Sequence, residues 1–166
     1  MSDLKALMLS GPRRTLAVAE SVTSGRLQAR IGAISGASEF YLGGMTVYSL
    51  DQKVRRLGVD REGAAAVNSV SAAVAEQMAK GVCDLFGSDL GIATTGYAEP
   101  SAVFGVEVPF AWWGLARRLA GGGFAALSGR IDCPGLSRVE VQERVAGEAL
   151  DALVRWITGT AAARRT

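Results

Sequence analysis

Ser21 stands where a serine hydroxyl can do chemistry. The apolar run from Thr15 to Ala19 has the length of a buried strand, Glu20 and Ser21 close it, and Thr23-Ser24-Gly25 opens a helical stretch. The first amides of a helix lack partners within it, so they can donate to an anion or to a carbonyl oxygen gaining charge. Tyr48 and Lys53 form a second constellation, at the end of another apolar run and inside the short helix that follows. A buried lysine with a depressed pKa can take a proton from a serine. Composition narrows the chemistry further, because the chain contains no histidine. That excludes Ser-His-Asp and Cys-His catalysis and the common imidazole zinc sites. The lysines are Lys5, Lys53 and Lys80, and arginine stays protonated. A serine nucleophile here needs one of those lysines or a carboxylate as its base. Taken singly, each position has a plainer reading: Ser21 or Thr23 as a helix cap, Lys53 as a surface lysine.

The elements that must position these residues follow from periodicity. A short amphipathic helix is expected over 3–10 with Leu4, Leu7 and Met8 on one side, ended by Gly11-Pro12. Strands are expected at 15–19, 43–49, 90–95, 106–116 and 124–131. Helices are expected at 25–34, at 50–57 and from the cap Ser71 to about Phe86, the last with Val74, Met78, Val82 and Leu85 in one stripe. A long closing helix over 137–157 turns Val141, Val145, Leu150, Leu153 and Trp156 inward, and the tail 159–166 reads as frayed. Early alternation of strand and helix followed by a strand pair predicts a three-layer α/β/α sandwich with a mixed central sheet.

The 166 residues fit one domain, and 49% of them are apolar. Net charge is +2, with arginine pairs scattered through the chain. A nucleic-acid surface concentrates such charge, so nucleic acid is not the expected partner. Cys83 and Cys133 read as buried free thiols. With no leader-like start and no spanning apolar run, a soluble cytoplasmic protein is expected. No metal or cofactor is expected. The 96–105 loop follows a strand, where α/β proteins place ligand loops, but lacks the Gly-Lys-Ser/Thr of a P-loop. Trp112 and Trp113 are neighbours on a strand, so at most one can line a site, and both read as core.

Several spaced motifs, in order, resemble the CinA C-terminal domain family of nicotinamide-nucleotide amidohydrolases. They are Ala19-Glu20-Ser21-Val22-Thr23-Ser24-Gly25, then Gly36-Ala37-Ser38, then Gly43-Gly44-Met45-Thr46-Val47-Tyr48-Ser49 with Lys53 and Leu57-Gly58-Val59. The resemblance runs over about 14–155. It implies deamidation of nicotinamide mononucleotide or a related carboxamide nucleotide, feeding pyridine-nucleotide salvage, by a stand-alone form of the domain. Ser21 would attack, Lys53 would activate it and Tyr48 would assist in proton handling. Glu20, Thr23, Ser24, Gly25, Gly44, Thr46, Thr95, Gly96 and Arg138 are the expected substrate-binding residues, the substrate is a small nucleotide, and a homo-oligomer is expected. The second half departs from the family pattern. Glu99 replaces a glycine in Thr95-Gly96-Tyr97-Ala98-Glu99-Pro100-Ser101, and Gln142 stands where a second arginine follows Arg138. A lost cation and a gained carboxylate disfavour a phosphate. The alternative is an inactive ligand- or partner-binding paralogue that keeps the fold.

Overall fold

In the computed structural model, which describes residues 2–162, strict alternation along one central strand sorts the core into two layers. β1 (Leu16–Glu20) turns Leu16 and Val18 to one face and Ala17 and Ala19 to the other. It pairs in parallel with β2 (Tyr41–Thr46) and β3 (Leu90–Tyr97). β4 (Phe110–Arg118) and β5 (Phe124–Asp132) add antiparallel ladders, giving the order β2-β1-β3-β4-β5. Helices α1 (Ser2–Leu9), α2 (Arg26–Gly32) and α6 (Arg138–Ala162) contribute core residues on the face of Leu16 and Val18. Helices α3 (Leu50–Leu57), α4 (Arg61–Ala66) and α5 (Ala72–Phe86) contribute theirs on the face of Ala17 and Ala19. This is the expected three-layer α/β/α sandwich with a mixed sheet.

The small residues of the second face let α5 lie close on the sheet. A Cβ on Gly91 or Gly114 would run into the α5 backbone at Ala79 and Ala75. The helix itself begins as its sequence says it should: Ser71 caps it by accepting from the Val74 amide at 3.2 Å, and Val74, Met78 and Val82 are buried. Leu85, on the same face in the last turn of α5, is 50% exposed and does not share their burial. Cys83 and Cys133 are free and buried.

Several boundaries differ from the sequence expectation. β2 stops at Thr46, so Tyr48 lies beyond the strand and is 59% exposed. β3 runs on to Tyr97, and β4 begins at Phe110 rather than Val106. The intervening residues pair only through a Ser101–Val106 bridge around a 3-10 turn at Ala102–Phe104. α4 was not anticipated. Its Asp60 cap accepts from the Gly63 amide at 2.8 Å, but its Ala-rich body has little periodicity to read. α6 continues through Ala162, so 159–162 are helical rather than frayed, and 163–166 lie outside the described residues.

Candidate functional site

The turn from β1 into α2 is held from beneath by Glu20. Its wholly buried carboxylate accepts from the amides of Gly25 (2.9 Å), Leu27 (3.2 Å) and Gln28 (2.8 Å), and from the Thr23 hydroxyl. Thr23 is bonded in turn to the Thr94 hydroxyl at 2.7 Å, and the Ser21 amide donates to the Thr94 carbonyl at 3.0 Å. An internal carboxylate therefore already occupies the amides at the start of α2, where the sequence reading expected a ligand. The result is a fixed turn that presents Ser21 with nothing beneath it left to move.

Lys53 meets Ser21 from the opposite side. Ser49 caps α3 through the Gln52 amide, and this places Lys53 one turn in, with its side chain pointing back over the end of the sheet. Its Nζ donates to Ser21 Oγ at 3.0 Å and to the Tyr48 carbonyl at 3.1 Å. Lys53 is 2% exposed, and burial pushes its ammonium down to about 8. A buried amine that loses its proton near pH 8, in contact with a serine hydroxyl, is equipped to act as that serine's base.

Both side chains open onto a cleft of about 410 Å³ at the carboxyl ends of β1 and β3. Tyr48, Thr95, Gly96 and Arg138 also line it. Tyr48 serves the lysine with its main chain, whereas its phenol accepts from Arg138 Nη2 at 2.9 Å. The Tyr48 hydroxyl is thus spent at the rim, not on the serine. Arg138 Nη1 also holds Glu99 Oε1 at 2.7 Å, so one guanidinium ties together three separate parts of the chain. The Thr95 hydroxyl donates to the Ser69 carbonyl at 2.7 Å and supports the cleft wall.

Six residues expected to bind substrate do not line the cleft. Glu20 and Thr23 are wholly buried, and the Gly25 amide is bound to Glu20. Ser24 is exposed in a left-handed conformation, φ 51°. Gly44 is a packing glycine, since a Cβ there would collide with Val18 and Gln28. Thr46 ends β2 facing solvent. Trp112 and Trp113 are absent from the lining as well. The sequence reading missed the wall formed by Asn68, Ser69 and Val70. Asn68 and Ser69 have φ of 47° and 61°, and Asn68 donates to the Tyr97 hydroxyl at 3.1 Å. An Asn-Ser pair just ahead of the Ser71 cap was the available signal. Among the described residues no three Cys, Asp or Glu side chains gather as a metal cluster, and no helix is long and apolar enough to cross a membrane.

Fold and site together define a three-layer α/β domain with a buried serine–lysine pair at the end of its parallel strands. The family model for the CinA C-terminal domain matches residues 2–157, and the chain belongs to that family. A CinA-like protein of Mycolicibacterium gilvum is 38% identical over 96% of this chain and 36% of its own length. One of Gemmatimonas aurantiaca is 42% identical over 92% of this chain and 35% of its own. The chain thus spans about a third of these relatives. Among solved structures, a competence-damaged protein (CinA) superfamily protein of Klebsiella pneumoniae superposes with a TM-score of 0.82 at 28% identity, covering 95% of this chain and 94% of that one. The competence damage-inducible protein A (ComA) of Klebsiella pneumoniae does so with a TM-score of 0.79 at 30% identity, covering 92% and 90%.

Proposed function

We propose that the cleft hydrolyses the carboxamide of nicotinamide mononucleotide or a related carboxamide nucleotide, with Ser21 as nucleophile and Lys53 as base. The observation that carries this is the 3.0 Å hydrogen bond between a buried lysine, whose ammonium burial brings down to about 8, and a serine fixed on a rigid turn. Neutral Lys53 takes the Ser21 proton as Oγ attacks the carbonyl carbon. The oxygen that gains charge lies beside the nucleophile, where the Val22 amide is the nearest donor in sequence. Collapse breaks the C–N bond, and Lys53 returns the proton to the leaving nitrogen, releasing ammonia. Water, deprotonated by Lys53, then cleaves the Ser21 ester to the acid, and Lys53 returns that proton to Ser21 Oγ as it leaves. The Tyr48 carbonyl orients the amine through both steps. Ammonia release from nicotinamide mononucleotide, measured for the wild type beside Ser21→Ala, tests the reading. Release by the wild type and not the variant supports it.

A second reading, a ligand-binding domain without turnover, draws on one observation. Of the two cations that line the cleft, Lys53 serves Ser21 and Arg138 is taken up by Glu99 and Tyr48, which leaves neither unengaged for a phosphate. Tight binding of a nucleotide with no ammonia release would favour this reading.

A further inference from the structure

Beyond the Asn68–Val70 wall lies a second compartment, of about 500 Å³. It shares Asn68, Val70, Tyr97 and Phe104 with the catalytic cleft and adds Val67 and Phe110 among others, with no charged side chain in its lining. Three rings run along it. The Tyr97 centroid is 5.8 Å from Phe104 and 5.4 Å from Phe110. The Arg130 guanidinium stacks on the Phe110 ring 3.8 Å from its centroid, which holds that ring in place. Phe104 is 52% exposed and Val67 40%, so apolar surface faces solvent beside the site.

The wall between the compartments is strained. Among the described residues, Asn68 and Ser69 are the non-glycine residues with left-handed backbone outside the Ser21 turn, a conformation that side chains disfavour. The Thr95–Ser69 and Asn68–Tyr97 hydrogen bonds hold them there. These contacts from β3 fix Asn68 at the place where the two compartments meet, since it lines both.

We propose that the second compartment is a subsite for an uncharged aromatic group carried by the substrate, so that the carboxamide reaches Ser21 while a ring packs against Phe104 and Tyr97. This rests on the amide-hydrolysis reading for which end lies at Ser21, and among the carboxamides of that reading it favours those that carry a second, uncharged ring. The row of rings favours a planar group, since offset aromatic contacts add to area burial. The lining offers no charged side chain to pair with an ionic one.

The test is calorimetric binding of nicotinamides bearing a phenyl group on uncharged linkers of increasing length, each compared with a methyl-capped linker of equal length. One linker length should bring about tenfold tighter binding than its methyl counterpart. A cyclohexyl group in place of phenyl should recover only part of the gain. Val67→Asp, which puts a carboxylate into the second compartment alone, should abolish the gain while leaving untailed nicotinamide within about twofold. Phe104→Leu, a milder change, should reduce it. No gain at any length, a gain that survives Val67→Asp, or equal gains from phenyl and cyclohexyl would overturn the proposal. Ammonia release, followed in parallel, separates the two claims. Tail-dependent binding without ammonia sinks the hydrolysis reading and leaves the subsite standing, and ammonia without tail dependence does the reverse.

Discussion

At the floor of the cleft, Glu20, Thr23 and Thr94 form one buried hydrogen-bonded chain beneath Ser21, and Lys53 is 2% exposed. At the rim, Arg138, Glu99 and Tyr48 hold one another in contact with solvent. Buried hydrogen bonds to charge are strong and expensive to break, whereas exposed ion pairs are worth about 0–1 kcal/mol. The floor therefore fixes which reaction is possible, and the rim can change its ligand preference at little cost in stability. The family motifs divide in a similar way, dense around Ser21 and Lys53 and altered at Glu99 on the rim, while the departure at Gln142 is buried and outside the cleft lining.

The sharpest attack on this comparison removes the floor's reacting groups. Ser21→Ala and Lys53→Met should each lower ammonia release by about 10³-fold or more, with folding preserved by circular dichroism. Because the two act as a unit, the double variant should be scarcely worse than either single one. Full activity in Ser21→Ala would remove the nucleophile assignment.

Glu20→Gln attacks the support instead. Glutamine keeps the shape but loses the charge and turns an NH₂ group toward amide donors. The expected loss is about 3 kcal/mol, from a charged acceptor of several buried hydrogen bonds. In a domain of this size that is a fall in Tm of about 6–12 °C. An unchanged Tm would show that the turn is held by something other than its carboxylate.

A pH profile probes the lysine. As a base, Lys53 works in its neutral form, and burial brings its pKa down to about 8. The sign follows: kcat/KM should rise about tenfold per pH unit on the acid side and level off above about 8. A rate that declines as pH rises through 8 would mean the ammonium is the working form.

The floor was legible in the sequence because its contacts are local or motif-bound. Ser21 and Lys53 stand out once histidine is absent, and α3 occupies the residues its pattern assigns. Glu20, expected as a ligand contact, instead binds partners three to eight residues ahead, a local capping pattern. The rim was not legible in the same way. Asn68 and Ser69 owe their place to Tyr97 and Thr95, 29 and 26 residues away. Arg138 meets the Tyr48 phenol across 90 residues, and no local pattern carries that information. Strand ends failed for a related reason. Tyr48 continues an apolar run, but β1, the neighbour that β2 needs, ends at Glu20 opposite Thr46.

The smallest expected effect belongs to the rim. Glu99 occupies one end of the Arg138 guanidinium at 2.7 Å, and both side chains are largely exposed, at 61% and 44%. Glu99→Gln removes the charge and keeps the size, so stability should change by under about 0.5 kcal/mol. The guanidinium would then be free to pair with an anion, and a repelling carboxylate would be gone from the mouth. Nicotinamide mononucleotide should bind roughly three- to tenfold more tightly to Glu99→Gln, while the unphosphorylated riboside changes little. The difference should shrink as salt is raised, because the contact lies in water and its charges are screened over about 8–10 Å. Equal changes for both ligands would mean that Glu99 acts through the conformation of its loop. No change for either would place the phosphate away from Arg138, and the phosphate-binding role would have to be sought elsewhere in the cleft.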